Sequence, residues 1–186
     1  MDLTGYSART ERMVLRPYAF EDLDAFHDLH SRADVARYLP RDVRDLDESR
    51  RALGRQQTLR LEADDDSATL AGFDAGTGRL VGDFVLFLRS REHGNGEIGY
   101  VLHPDFQGRG LATEGARHLL EIAFGPLGLR RVVARIDARN TGSAGVLRRL
   151  GMRHEAHLVE NEWFKGAWGD EDDFAVLRRD WEAARP

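Results

Sequence analysis

The feature of this sequence that most constrains its fold is a short strand joined by a glycine turn to an amphipathic helix. Residues 97–102 are of β type, residues 107–110 read Gln-Gly-Arg-Gly, and residues 111–124 keep one face apolar at helical spacing. At such a turn several backbone N–H groups point outward at the positive end of the helix dipole, which makes a site for a pyrophosphate. The segment from Gln107 to Ala112 fits that geometry.

The glycine turn also has competing interpretations. A Gly-x-Gly sequence occurs in ordinary tight turns whose backbone angles need glycine. A P-loop is excluded, because no Gly-Lys-Ser/Thr follows the turn. A dinucleotide-binding turn of the Rossmann type fits less well, since Thr113 stands where the third glycine is expected and the nearest strand-end acid, Asp137, lies far along the chain. The structural turn and the dinucleotide site stay open as alternatives.

The remaining pattern predicts a mixed α/β sheet in one domain that spans residues 1–186. Predicted strands cover residues 13–16, 69–74, 79–88, 97–102, 131–136, 154–164 and 174–178, and predicted helices cover residues 21–30, 46–61, 111–124 and 141–150. The second and third strands flank Ala-Gly-Thr-Gly, which predicts an antiparallel hairpin. Gly54 weakens the second helix, and Gly151 is predicted to end the fourth in a left-handed conformation.

Composition excludes several classes of protein. With 186 residues, of which 41% are hydrophobic and 32% charged, the chain can bury one core and is not of the disordered class. It has no cysteine, which excludes disulfides, thiolate zinc sites, iron–sulfur clusters and a cysteine nucleophile. A net charge of -5 with scattered basic residues argues against nucleic acid as a direct partner. The longest apolar stretch is far shorter than the roughly 20 residues of a membrane span, and the start of the chain lacks a signal-type core, so a cytoplasmic location is predicted.

Two sequence blocks carry a resemblance to a known family. Residues 98–114, IGYVLHPDFQGRGLATE, resemble the acetyl-CoA signature of the GCN5-related N-acetyltransferases (the GNAT superfamily). Residues 140–152, NTGSAGVLRRLGM, are similar to the downstream family segment of an Asn, a short helix and a Gly. Residues 15–17, 34–40 and 166–181 are similar to the ribosomal-protein N-terminal acetyltransferase (RimJ/RimL-like) branch, so the resemblance covers nearly the whole chain.

The resemblance implies a GNAT fold, with a mixed central sheet of about seven strands flanked by helices, and acetyl-CoA as cosubstrate without a metal. It also implies that the strand ending near Leu102 splays from the strand ending near Asp137. The implied cosubstrate contacts are the pantetheine arm along Tyr100, Val101 and Leu102, and the pyrophosphate on the N–H groups of Gln107, Gly108, Arg109, Gly110, Leu111 and Ala112. Asn140 would contact the pantetheine or acetyl region, or cap the helix that follows it.

The resemblance further suggests which residues move protons. Many relatives place a Tyr seven residues after the Asn to protonate the sulfur, but this chain has Leu147 there. In the RimJ/RimL-like branch a Ser stands three residues after the Asn and an acid precedes an aromatic and a Gly, and Ser143 and Glu162 match these positions. Ser143 is therefore predicted at the sulfur and Glu162 as the base, with Glu97 as the rival base and a water relay open to either. Direct transfer is expected, because no nucleophile of the acyl-enzyme type is evident.

The acceptor is less constrained. A carboxylate base suits an amine that is partly neutral near pH 7, so we expect an α-amine of a protein or peptide. The alternatives are a small-molecule amine (aminoglycoside, polyamine or amino acid) and a non-catalytic acyl-CoA-binding module. The acidic runs at 64–66 and 170–173 would line an entrance for cations or lie in solvent. Trp163, Phe164 and Trp168 are interpreted as core, as a homodimer contact or as walls of the acceptor pocket.

The histidine pairs are not expected to bind a metal. His27 and His30 can share a helix face, but no third ligand follows at a recognisable spacing. His154 and His157 are three apart on a predicted strand, which places them on opposite faces.

Overall fold

A mixed β-sheet organises the chain, and helices cover both of its faces. The computed structural model describes residues 1–56 and 59–184. Within these residues the strands are β1 (Ala8–Arg9), β2 (Met13–Arg16), β3 (Asp66–Asp74), β4 (Leu80–Ser90), β5 (Asn95–Leu102), β6 (Arg131–Asp137), β7 (Arg153–Phe164) and β8 (Ala167–Leu177). The helices of the same part are α1 (Leu23–His30), α2 (Ala33–Ala36), α3 (Leu46–Arg55), α4 (Leu111–Phe124), α5 (Thr141–Arg149) and α6 (Arg178–Ala183).

The strands lie in the order β1-β2-β3-β4-β5-β6-β8-β7. All neighbours are antiparallel except β5 and β6, which run parallel. A parallel pair needs a crossover connection, and α4 supplies it. The sheet has eight strands rather than about seven, because the two-residue β1 pairs with β2 at one edge.

The two faces of the sheet bury separate apolar clusters. Phe84 and Leu86 of β4 join the larger cluster, which also contains the apolar side chains of α4 and α5. Ala71 of β3 joins a smaller cluster with Phe26 of α1 and Leu53 of α3. We call the first side of the sheet the α4/α5 face and the second the α1/α3 face.

Several predicted elements are confirmed at their exact bounds or within a few residues. The helix over 111–124 and the strand over 13–16 coincide with α4 and β2. β3 and β4 form the predicted antiparallel hairpin. Gly151 has a φ of 78°, the left-handed conformation predicted after the fourth helix.

The predicted helix over 46–61 is wrong in its second part. α3 ends at Arg55, and the Leu61 N–H donates to the Met1 carbonyl at 2.9 Å, so the chain is extended beside its own N-terminus there. Residues 57 and 58 of the prediction lie outside the described residues. The pairing joins distant parts of the chain, and a local helical pattern contains no information about such a contact.

The predicted last strand, 174–178, begins seven residues too late and ends one residue too late. β8 begins at Ala167, and Arg178 already belongs to α6. The acidic run 170–173 has low β propensity, which hid the strand from local analysis. Pairing with β6 on one side and β7 on the other holds this run in the sheet.

The prediction that His154 and His157 point to opposite faces is also wrong. A register shift between His154 and Ala156 inserts an extra residue, and both imidazoles then reach Asp172, at 3.1 Å and 2.8 Å. The pair therefore shares a carboxylate.

Candidate active site

The open end of the β5–β6 pair is the main candidate site. Asn95, Gly96 and Glu97 pair with residues 131–133, and no further pair joins the two strands among the described residues. β5 continues to Leu102 on the side of β4, while β6 continues on the side of β8. The facing edges therefore carry backbone N–H and C=O groups without a partner strand between them, and an extended ligand that contains amides can pair with such edges. This gap is the splay that the resemblance implied.

The glycine turn lies next to the gap and opens α4. Gly108 and Gly110 have φ values of 71° and 80°, which glycine adopts without steric cost. Gly110 caps α4, so the first N–H groups of this helix have no intrahelical acceptor. Exposed N–H groups at the positive end of a long helix suit a pyrophosphate. Of the residues predicted to bind it, the structure places Gln107, Gly108, Arg109 and Gly110 on the surface, Ala112 half-buried and Leu111 in the core.

A contact from the N-terminal segment braces this turn. The Glu114 carboxylate accepts hydrogen bonds from the Thr10 hydroxyl at 2.6 Å and from Arg12 Nε at 2.8 Å. Arg12 Nη1 also donates to the Arg109 carbonyl at 2.7 Å. Burial opposes ionisation of Glu114, but the hydrogen bonds from Thr10 and Arg12 outweigh it and hold its pKa below the ordinary value. Sequence analysis missed this brace, because its partners are about a hundred residues apart.

Asn140, Ser143 and Tyr100 meet on the α4/α5 face beside the gap. Asn140 caps α5, since its side-chain oxygen accepts the Ser143 N–H at 3.0 Å. The Tyr100 hydroxyl lies 2.7 Å from Ser143 Oγ. Burial raises the pKa of Tyr100 to about 12, so its hydroxyl is protonated under all physiological conditions. Leu147, which stands where many relatives carry a Tyr, is fully buried in the core.

We give the name acidic wall to four of the carboxylates on the opposite side of the sheet: Glu97, Glu162, Glu171 and Asp173. In the strand pairing, Glu97 of β5 lies opposite Val133 of β6, and Glu171 and Asp173 of β8 lie opposite Asp137 and Arg135 of β6. Glu162 of β7 lies opposite Gly169 of β8. Residues that lie opposite each other share a face, so the four carboxylates project from one side of the sheet. Because alternate residues of a strand point to opposite faces, Glu97 and Tyr100 project from different sides of β5.

The members of the acidic wall are in different electrostatic states. Glu97 accepts a hydrogen bond from Arg89 Nε at 3.0 Å. Burial and the negative charges of Asp173, Glu162 and Glu97 raise the pKa of Glu171, although Arg135 opposes the shift. Glu171 belongs to the acidic run 170–173, which the sequence offered as an entrance for cations or as solvent-exposed surface. It was not a candidate base, because the strand that carries it was predicted to begin only at residue 174.

The tip of the β7–β8 hairpin contacts α2. Lys165 Nζ donates a hydrogen bond to the Ala36 carbonyl of α2, which joins two elements that are distant in sequence. Trp163 and Trp168 pack edge to face at 5.3 Å near the tip and are 58% and 55% exposed, so their interpretation as core is wrong. The side chain of Phe164 lies outside the described part.

The other sequence candidates have structural roles. Asp66 accepts the N–H groups of Glu62 and Ala63, both at 2.7 Å, so the acidic run 64–66 closes a turn. Among the residues that the structure describes, no group of three or more His, Asp or Glu side chains is arranged to hold a metal ion. No helix in the described ranges has the length and apolar character needed to cross a membrane.

Comparisons with known proteins agree with this geometry. YnaD, an uncharacterized N-acetyltransferase of Bacillus subtilis (strain 168), is 28% identical over 172 residues, which cover 92% of this chain and 97% of YnaD. YdaF of the same organism, provisionally named a ribosomal N-acetyltransferase, is 31% identical over 121 residues, or 63% of this chain and 66% of YdaF. The spermidine N(1)-acetyltransferase of Escherichia coli (strain K12) is 26% identical over 154 residues, or 83% of this chain and 80% of that protein.

A solved structure and a family model extend the comparison. The crystal structure of a GNAT-family acetyltransferase from Bacillus anthracis superimposes with a TM-score of 0.83 at 28% identity and covers 93% of this chain and 99% of that one. Residues 12–153 match the family model described as the acetyltransferase (GNAT) domain. Members of this family use acetyl-CoA, which accounts for the glycine turn better than the dinucleotide alternative does. The chain belongs to the GNAT family and is an N-acetyltransferase.

Proposed function

We propose that this N-acetyltransferase passes the acetyl group of acetyl-CoA, through the gap between β5 and β6, to a primary amine that approaches from the other face. The observation that carries the proposal is the placement of two sets of groups on two faces. The start of α4, Tyr100 and Ser143 lie on the α4/α5 face, and the acidic wall lies on the other. A thioester carbonyl and its leaving sulfur need hydrogen-bond donors, whereas an attacking amine needs a base.

The residues around the gap fit acetyl-CoA. We propose that the pantetheine arm pairs with the free edge of β5 at Tyr100, Val101 and Leu102, and that the N–H groups of residues 107–112 hold the pyrophosphate. Bound acetyl-CoA supplies the thioester that the amine attacks. Asn140 caps α5 and thereby holds Ser143 beside the gap. A homodimer, a cytoplasmic location and the lack of a nucleic-acid partner stay predictions of the sequence.

The acidic wall supplies the base. An amine must lose a proton to attack, and a carboxylate within reach of it can take that proton directly or through one water molecule. Glu162 is our first candidate, because it combines the position implied by the RimJ/RimL-like branch with a half-buried place on the wall. Glu171 is a second candidate, because its raised pKa makes it a stronger base than an ordinary carboxylate. Glu97 is a weaker candidate for the base, because the Arg89 guanidinium already neutralises its carboxylate.

The same wall favours an acceptor with more than one positive charge. Burial and the charges of Asp173, Glu162 and Glu97 raise the pKa of Glu171, and the repulsion among these carboxylates falls when a polycation binds between them. Arg89 and Arg135 already balance part of this charge, at Glu97 and Asp173. We therefore propose a small polyamine as the acceptor, a class that the E. coli relative is named for.

A peptide N-terminal α-amine is the second candidate acceptor. Ser143 and Glu162 stand at the two positions that the RimJ/RimL-like branch uses, and YdaF is provisionally named for a ribosomal substrate. An α-amine titrates at about 7.7 to 8.0 and needs less help from a base than a lysine side chain.

The cosubstrate is tested first by thermal shift with acetyl-CoA, CoA and NADH side by side. At a hundredfold excess over its Kd, a ligand adds about 2.7 kcal/mol, which raises the Tm of a domain of this size by about 5 to 10 °C. We expect this shift with acetyl-CoA and CoA and none with NADH. No shift with acetyl-CoA would contradict the site assignment.

The acceptor is tested by release of CoA with a panel of amines. The panel contains spermidine, a monoamine of equal length that lacks the further charges, and peptides with free or blocked N-termini. The polyamine proposal predicts that kcat/KM for spermidine exceeds the value for the monoamine at least tenfold, since each added charge meets a carboxylate. A higher value for the free peptide than for spermidine would instead favour the second candidate.

A further inference from the structure

The hydroxyl groups of Tyr100 and Ser143 form a pair at the edge of the gap. Tyr100 projects from β5 toward α5, where its oxygen lies 2.7 Å from Ser143 Oγ and 3.3 Å from the Ser143 carbonyl oxygen. The Ser143 N–H is held by Asn140, so the backbone at Ser143 is fixed by a second contact. Neither the sequence resemblance nor the family assignment gives the side chain of Tyr100 a role.

Either hydroxyl can donate in the 2.7 Å contact between Tyr100 and Ser143, so the direction of this hydrogen bond is part of the inference. The Ser143 carbonyl oxygen only accepts, so Tyr100 donates in the 3.3 Å contact with it. Burial raises the pKa of Tyr100 to about 12, so the phenol keeps a proton that it can share between the Ser143 carbonyl oxygen and Ser143 Oγ. A serine hydroxyl has one proton and two acceptor positions. When Tyr100 occupies an acceptor position, the Ser143 proton is left to point away from Tyr100.

We propose that Tyr100 is a positioning residue that orients the Ser143 hydroxyl as a hydrogen-bond donor to the sulfur of the leaving CoA. The inference rests on the proposed acetyl-CoA site and names the group that aims its leaving-group donor. As the amine nitrogen bonds to the carbonyl carbon, the C–S bond breaks and its electron pair stays on sulfur. Ser143 stabilises this charge, the base takes the proton that the amine loses, and the sulfur takes up one proton from solvent, so that charge and protons balance.

The charged neighbour of the pair is Arg149. Its positive charge opposes, but does not cancel, the effect of burial on the pKa of Tyr100. Arg149 Nε donates to Thr113 Oγ1 at 3.3 Å and so links α5 to the first turn of α4. A cation at this place also favours a thiolate, and the test must therefore separate its effect from that of Ser143.

The first test is the thiol pKa of CoA bound to the enzyme, read from thiolate ultraviolet absorbance in a pH titration. Wild type should bind CoA with a thiol pKa below the value of about 8.5 for a free thiol, because Ser143 stabilises the thiolate. Tyr100→Phe and Ser143→Ala should each raise this pKa by about one unit, a tenfold change in the ionisation constant. Arg149 is present in both variants, so its contribution stays constant.

The second test is a double-mutant cycle on turnover. Tyr100→Phe should lower kcat about three- to tenfold with an unchanged KM for acetyl-CoA, and Ser143→Ala should lower it at least as much. The double variant should be no slower than Ser143→Ala, because both changes remove one function. Tyr6→Phe is the matched control. It also removes a partly buried tyrosine hydroxyl, which lies 2.6 Å from His118 Nε2, but this contact is not at the gap.

The outcomes separate the inference from the proposed function. If wild type binds no CoA, the proposed site is wrong. If CoA binds and Tyr100→Phe leaves its thiol pKa unchanged, or if the two losses in kcat multiply, the inference is wrong while the site stands. A change of thiol pKa in Tyr6→Phe would also overturn it, because the effect would then be a general one.

Discussion

The carboxylates of the acidic wall differ in how their charge is balanced. Glu97 has the Arg89 guanidinium 3.0 Å away. Glu171 accepts a hydrogen bond from a neutral donor, the Asn161 amide at 3.2 Å, while burial and the charges of Asp173, Glu162 and Glu97 raise its pKa. Because a base accepts a proton more readily when its pKa approaches that of the amine, the raised pKa singles out Glu171.

Conservative amide variants test this distinction. We expect Glu162→Gln to lower kcat at least tenfold, Glu171→Gln to lower it to a similar extent, and Glu97→Gln to have a smaller effect. The Kd for acetyl-CoA should be unchanged in all three, because the wall lies on the other face of the sheet. If Glu97→Gln alone abolishes turnover, the base has been misassigned.

The raised pKa of Glu171 also predicts how the stability of the fold depends on pH. A carboxyl whose folded-state pKa lies above its unfolded value stabilises the fold at low pH, and this contribution is lost as the pH rises through the folded pKa. Glu171→Gln should therefore leave the Tm at pH 7 equal or higher while it lowers activity. A lower Tm would indicate a structural role instead.

At the scale of the elements, α4 lies close to the sheet because a glycine faces it. A Cβ built on Gly115 would lie 2.1 Å from Phe84, whose side chain is fully buried in β4. This close approach places the start of α4, with its free N–H groups, beside the end of β5. Gly54 of α3 is the contrasting case, because a Cβ there would meet nothing within 4 Å.

The two helical glycines make a matched pair of variants. Gly115→Ala should lower stability by about 1 to 3 kcal/mol, since overpacking outweighs the gain in helix propensity. Gly54→Ala should raise stability by about 0.5 to 1 kcal/mol through propensity alone. Urea denaturation of both variants measures the difference, and equal effects of one sign would show that packing of α4 on Phe84 is not tight.

For the whole molecule, charge separates the two substrates. The chain carries a net charge of -5, and the acidic wall concentrates part of that charge at the acceptor entrance. The glycine turn instead presents N–H groups to an anion. Under the proposed function, two substrates of opposite charge would therefore reach the gap from opposite faces, and their binding sites would stay distinct.

Ionic strength tests this separation. Between about 0.05 M and 0.5 M salt, KM for a polyamine should rise several-fold, because counterions screen the acidic wall. The kcat should change little. KM for the monoamine that lacks the further charges should rise less than KM for the polyamine. An equal rise of KM for both amines would mean that the acidic wall does not bind the additional charges of the acceptor.

Local sequence patterns were sufficient for the elements that depend on neighbouring residues. α4, β2, the β3–β4 hairpin and the glycine turn were all predicted, because helical spacing, alternation and turn glycines act over a few residues. The resemblance added the splay of β5 from β6, which no spacing shows. Local analysis failed where distant pairing overrides propensity, as in the acidic run of β8 and the strand-like chain at Leu61.

The sequence by itself determined the fold class, the glycine turn at a helix start and the family. Only the tertiary structure decided that Tyr100 meets Ser143, that Glu171 joins Glu97 and Glu162 on one face, and that Arg12 braces the turn. The reason is physical. Which distant side chains meet depends on strand register, on bulges and on which face each strand presents, and these are settled only when the whole sheet pairs.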